Sequence, residues 1–230
     1  MIDLRVQLRA TEQMDGDLQP STYRQVLKDL SRANTLTLAR RPTLAFLDRV
    51  TRDTHSLRVL DVGFGSGDML RAIARRCKRK GISATLVGID LNTKSAEVAR
   101  AATPPDLTID YRSGDYARLA NEPWDVVISS LVAHHMDEDE LLAFLRFMDR
   151  HARRGWFIND LHRLPVPYFG YPVLARLVGL HPIVADDGRL SIARSFRPED
   201  WWWLLELAGI SPGVRVFRVF PYRLCVERIR

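Results

Sequence analysis

The sequence predicts an α/β fold built on a doubly wound, mostly parallel sheet. Three observations predict it. Between Arg58 and Lys80 an apolar strand, a tight glycine turn and a helix follow one another directly, which is half of a nucleotide-binding unit. Strand-like and helix-like segments then alternate as far as Asn159, the pattern of parallel strands joined by crossover helices. The chain closes on two β-rich runs, 214–220 and 224–229, turned at Pro221-Tyr222, a hairpin beside the parallel strands.

The totals fit one domain over residues 1–230. The chain is 46% hydrophobic and 27% charged, enough apolar residues to fill a core and too many for a disordered chain. A net charge of +6 permits acidic partners without requiring them. Cys77 and Cys225 supply neither a disulfide framework nor metal-ligand spacing. No apolar run is long enough to span a membrane, and the N-terminus lacks the apolar core of a signal peptide, so a cytoplasmic location is the expectation.

Taken in order, residues 1–17 have no clear period and predict an arm or short helix ending in Asp15-Gly-Asp17. Ser21 is the expected N-cap of a helix carrying Tyr23, Val26, Leu27 and Leu30 at helical spacing, and a second helix follows Pro42. Residues 1–50 thus read as a helical cap, either packed on the sheet edge or covering a ligand. As a cover, they would bring Asn34, Arg40 and Arg41 towards that ligand.

The helix from Asp68 carries six basic residues between Arg71 and Lys80. Basic residues near a helix C-terminus complement its dipole, and no aromatic residues alternate with them as single-strand nucleic-acid binders require. Nucleic acid is therefore not the expected partner. A helix over Lys94–Ala102 stops at Pro104-Pro105, a third strand is expected over Leu107–Tyr111, and 124–131 is a nearly continuous apolar strand. Asp137 and Glu140 have capping-box spacing, and Trp156–Asn159 is the fifth strand. Residues 161–195 break the alternation. Their prolines and aromatics predict a substrate lid with a short helix at 173–178 and a turn at Asp186-Asp-Gly188. Pro198 opens the last helix, whose Trp201-Trp202-Trp203 cannot all face one core.

The turn Asp61-Val-Gly-Phe-Gly-Ser-Gly67 departs from a dinucleotide fingerprint. Asp68 stands where the last small residue is needed, and Asp61 puts a carboxylate two residues before the first glycine. A carboxylate there repels a pyrophosphate and suits an amine-bearing ligand. The turn resembles motif I of the class I S-adenosylmethionine (SAM)-dependent methyltransferases. Leu86-Val-Gly-Ile-Asp90, Ser113-Gly-Asp-Tyr116 and Trp124-Asp-Val-Val-Ile-Ser-Ser-Leu131 follow at that family's spacings, so the likeness covers roughly residues 56–160. It implies a Rossmann-like, seven-stranded sheet and a SAM site. In that site Asp61, Gly63, Gly65 and Gly67 form the turn, and Asp90 with Leu91 holds the ribose. Asp115 and Tyr116 frame the adenine, and Ser130 ends the fourth strand.

Methyl transfer needs alignment and sometimes a base. The loop after strand four reads Leu131-Val-Ala-His-His-Met136, and His134 falls where several small-molecule O-methyltransferases carry a catalytic histidine. His134 and His135 are the first candidates for catalysis; His162, with Asp160 beside it, is the second. The histidines lack zinc-binding spacing, so no metal is expected. Motif IV lacks the Pro-Pro-Tyr element of amino-directed nucleic-acid enzymes. A small hydroxylated acceptor, aromatic or polyketide-like by Tyr168, Phe169 and Tyr171, is the favoured substrate, as in the bacterial secondary-metabolism methyltransferases this chain resembles. C- or N-methylation and a nicotinamide-dependent oxidoreductase are the alternatives. A homodimer is compatible with the sequence and not required by it.

Overall fold

The computed structural model describes residues 3–8 and 10–230; residues 1, 2 and 9 of the expected arm lie outside them. Seven strands form one sheet. They are β1 (Ser56–Val62), β2 (Ser83–Asp90), β3 (Asp110–Ser113), β4 (Trp124–Ser130), β5 (Ala152–Leu161), β6 (Val214–Val219) and β7 (Arg223–Ile229). The order is β3-β2-β1-β4-β5-β7-β6. The first five strands pair in parallel, and β7 pairs antiparallel with both β5 and β6. The order reverses between β1 and β4, so the carboxyl ends of those strands open a crevice.

Helices cover both faces. On one side α2 (Arg41–Val50), α3 (Asp68–Lys80) and α4 (Thr93–Ala101) bury Phe46, Leu70, Ile73 and Ala99 against Val59, Val126 and Phe157. On the other, α5 (Glu138–His151) and α8 (Pro198–Ala208) bury Phe144, Leu145, Trp201 and Leu205 against Leu60, Val127 and Trp156. β4 and the inner parts of β1, β2 and β5 are buried on both faces, which explains their apolar runs, whereas the edge strand β3 is mostly polar and part-exposed. Trp201 is fully buried while Trp202 and Trp203 point outward. The basic residues of α3 find acids on neighbouring elements: Arg76 and Lys80 pair with Asp48, and Lys78 with Asp106.

Several sequence boundaries shift. The first long helix, α1 (Pro20–Leu36), begins at Pro20 with Gln19 before it, so Ser21 lies inside the helix rather than capping it. Proline at a first helical position needs no partner for the amide it lacks. The third strand is Asp110–Ser113, later than the sequence suggested, because Leu107 turns back to bond Pro104. Asp137 and Glu140 do form the capping box of α5.

The largest correction concerns 161–195. This segment is two antiparallel helices, α6 (Pro165–Leu177) and α7 (Pro182–Arg194), and Asp186-Asp-Gly188 is helical rather than a turn. The glycine serves close approach. A Cβ on Gly188 would lie 2.1 Å from Cε1 of Tyr171 on α6, far inside contact distance. Gly188→Ala is therefore expected to cost about 1–3 kcal/mol through overpacking. Gly170→Ala, with nothing within 4 Å of the new methyl, should be neutral or stabilising by up to about 1 kcal/mol. Thermal unfolding of the two variants checks this; equal shifts would show that Tyr171 simply moves aside.

Residues of the N-terminal arm lie along α7. The amides of Gln13 and Met14 donate to the Asp187 carboxylate, and the Leu8 amide donates to the Ala193 carbonyl. Among the described residues no helix is long and apolar enough to cross a membrane.

Candidate active site

A cavity of about 1160 Å³ opens at the carboxyl ends of β1, β2 and β4, roofed by α1, α6, α7 and the arm. At one end lies the turn after β1. Gly63, Gly65 and Gly67 have φ of 75°, 52° and 73°, a region that glycine enters without steric cost. The turn also brings its backbone against the next strand's acid, for the Gly65 amide donates to Asp90 Oδ2 at 2.8 Å. The Asn92 amide donates to Oδ1 at 2.9 Å. Burial raises the Asp90 carboxyl above its ordinary value, against the pull of those amides. Asp61 is buried, and its Oδ2 has no hydrogen-bond partner among the described residues. Burial first, then the nearby Asp68 and Asp90 carboxylates, push its carboxyl well above the usual range. A buried acid left in this state is matched by an arriving cation, which restores the charged form.

Ten of the predicted site residues line this one cavity: Asp61, Gly63, Gly65, Asp90, Leu91, Asp115, Tyr116, Ser130, His134 and His135. Asn34 and Arg40 join them, with Arg40 paired to Asp68 at 2.8 Å. Three candidates do not line it. Gly67 sits behind the turn, where a Cβ would meet the Tyr111 hydroxyl at 2.5 Å. Arg41 begins α2 away from the cavity. His162, bridged to Phe196 and bonded through its amide to the Tyr222 carbonyl, faces the basic side chains of Arg218 and Arg197 and the acid Glu199 instead. Its burial, then Arg218, lower its pKa. It does not line the cavity, and the β5 residue that meets His134 is Asp160, two positions earlier.

His134 is held from two directions. Leu131 takes a left-handed φ of 62°, costly for a side chain of this size. That turn lets 133–135 cross as a short 3₁₀ segment over the end of β5. There Asp160 Oδ1 lies 2.7 Å from His134 Nδ1, and Asp160 Oδ2 accepts the His134 amide at 3.1 Å. Asp160 is fully buried. Burial pushes its carboxyl up, but the charge and hydrogen bond of His134 and the amides of Leu161 and His134 pull harder, and it ends below its ordinary value. An ionised carboxylate only accepts hydrogen bonds, so Nδ1 is the ring nitrogen that donates to Asp160. The His134 Nε2 is buried without a hydrogen-bond partner among the described residues.

Two cavity residues gave no signal in the sequence. Glu12 comes from the aperiodic arm, yet its Oε1 lies 3.7 Å from His134 Nε2 and accepts from Ser191 Oγ at 2.7 Å. Its Oε2 lies 3.8 Å from His135 Nε2. Together Glu12, His134 and His135 place donor atoms within 4.8 Å of one another, a set that local spacing could not reveal. The same Glu12 oxygen lies 3.8 Å from an Arg194 guanidinium nitrogen, a cation that a metal ion would face at close range. The second missed residue is Arg223, an arginine next to a hairpin turn, where sequence alone suggests solvent exposure.

Comparison with known proteins agrees with the fold. The family profile described as a methyltransferase domain matches residues 59–155. The indolepyruvate C-methyltransferase of Streptomyces griseus is 33% identical over 92 residues, 37% of this chain and 26% of that protein. The ubiquinone biosynthesis O-methyltransferase of Rhizobium etli is 32% identical over 110 residues, 46% of this chain and 41% of that protein. The match thus spans between about a quarter and two fifths of these relatives' lengths. Among solved structures, a plantazolicin methyltransferase in complex with a desmethyl analogue and SAH aligns with a TM-score of 0.63 at 13% identity. That alignment covers 92% of this chain and 96% of the other. The magnesium protoporphyrin IX methyltransferase from Synechocystis with bound SAM aligns with a TM-score of 0.55 at 17% identity, covering 95% and 88%. The architecture shared with these structures is the class I methyltransferase fold, the seven-stranded sheet ending in an antiparallel hairpin.

Proposed function

We propose that this chain transfers a methyl group from SAM to a hydroxyl of a small acceptor, aromatic or polyketide-like, with His134 as the base. The carrying observation is that the unpartnered Asp61 carboxyl and the Asp160-oriented His134 imidazole belong to one cavity. The acid end suits a ligand bearing an ammonium group and ribose hydroxyls, for which Asp61 and Asp90 would be the partners. SAM supplies an electrophilic methyl on a sulfonium. What remains for the chain is to align the acceptor, exclude water and take one proton. His134 Nε2 is the acceptor for that proton as the hydroxyl oxygen bonds the methyl carbon, and Asp160 steadies the imidazolium that results.

The relatives named above include both a C- and an O-methyltransferase, and carbon is the second reading for the acceptor atom. The O-methyl reading is preferred because an imidazole with a free, oriented Nε2 suits a hydroxyl proton. A mass-spectrometric screen of phenols and polyketides with SAM tests the reaction itself. If no acceptor gains a methyl group, the proposed activity fails.

The donor site has its own test. Asp90→Ala leaves ribose hydroxyls unpaired and should weaken SAM binding by about 1–3 kcal/mol in calorimetry; an unchanged affinity would remove Asp90 from the site. The arm and the α6–α7 pair would act as a cover that orders on ligand binding. Hydrogen exchange at 10–18 and 165–194 is expected to slow with SAH present. Protection confined to 61–67 would leave both segments as scaffolding.

A further inference from the structure

We propose that Arg223 forms an anion subsite in this cavity and that the methyl acceptor is an aromatic carboxylic acid whose carboxylate it receives. The inference rests on the reading of the cavity as a methyl-acceptor site. Arg223 begins β7 beside the end of β5 and lines the cavity while being almost wholly buried. Nη2 donates to Thr37 Oγ1 at 3.0 Å, whereas Nε and Nη1 have no hydrogen-bond partner among the described residues. A guanidinium offers five N–H donors, and burying it with most of them unmet is costly unless a partner arrives.

Among the described residues nothing supplies that partner. Of the negative charges acting on Arg223, that of Asp160 is the largest. Its oxygens, however, are taken by the His134 ring and amide and by the Leu161 amide, so it stabilises Arg223 through space and leaves the donors open. One unmet cation matches one negative charge, which favours a carboxylate over a phosphate dianion, the more so with the Asp160 charge acting on Arg223. Tyr171, Tyr222, Pro167 and Leu174 line the same cavity, which suits a flat apolar body. An acid held at Arg223 would share this cavity with His134.

The probes are benzoate, phenylacetate and indole-3-propionate, each against its neutral amide, titrated by calorimetry with and without SAH. At least one acid is expected to bind about tenfold or more tightly than its amide, as a charge-assisted hydrogen bond should allow. The preference should disappear in Arg223→Met and survive in part in Arg223→Lys. Thr37→Val, which leaves the cation in place, should keep it and serves if Arg223→Met does not fold. Binding of no acid, equal binding of acid and amide, or a preference that persists without the guanidinium overturns the subsite. Tighter binding of phenyl phosphate than benzoate overturns the carboxylate assignment. SAH binding without acid preference would sink the subsite alone; acid preference without SAH binding would sink the methyl-donor reading alone.

Discussion

His134→Ala is expected to lower kcat by about 10²–10⁴-fold, the span of a lost general base, while SAM affinity stays nearly unchanged. The separation follows from position. The acids proposed to bind the donor are on β1 and β2, whereas His134 lies after β4 and is fastened to β5 through Asp160. Removing the ring deletes the proton acceptor and leaves the glycine turn and Asp90 intact. His135→Ala should cost less in rate, because that ring is part-exposed and has no contact with Asp160 comparable to that of His134. Chemical rescue separates a base from a positioning residue. Added imidazole should restore part of kcat in His134→Ala if the ring takes a proton. Full loss with no rescue, alongside a raised KM, would reduce His134 to shaping the pocket.

How legible this site was depended on how local each signal is. The glycine turn, Asp90 and the strand-four histidines sit within a few residues of a strand end. A run of apolar residues followed by glycine or by a polar pair is readable without any tertiary information. The capping box at Asp137 is legible for the same reason. Asp186-Asp-Gly188 misled because glycine marks both turns and close packing, and only the position of Tyr171 distinguishes them. His162 misled by proximity: it lies one residue beyond the end of β5, bridged to Phe196, whereas Asp160, still on the strand, meets His134. Glu12 and Arg223 were invisible. They come from opposite ends of the chain and acquire meaning only when the arm lies along α7 and β7 joins β5.

Asp160→Asn should be the most damaging single change at the site, in two measurable ways. The amide cannot reproduce an acceptor pair that serves the His134 ring, the His134 amide and the Leu161 amide together. The ring then loses the partner that keeps the proton on Nδ1, and a kcat loss of about 10²–10⁴-fold follows from the misplaced lone pair. The substitution also removes the largest compensating charge from buried Arg223. Breaking a buried charge set in this way costs about 3–5 kcal/mol, or roughly 6–20 °C in Tm for a chain of this size. The pH dependence identifies the cause. The Asp160 carboxyl is held below its ordinary value in the folded chain, against the cost of burial, by His134 and the two amides. A depressed carboxylate contributes stability that is complete above its unfolded value, about pH 4, and is lost as pH falls through the lower folded value. The Tm difference between wild type and Asp160→Asn should therefore be steady at neutral pH and narrow below about pH 4. A difference that stays constant down to the acid unfolding limit would trace the loss to packing rather than to charge.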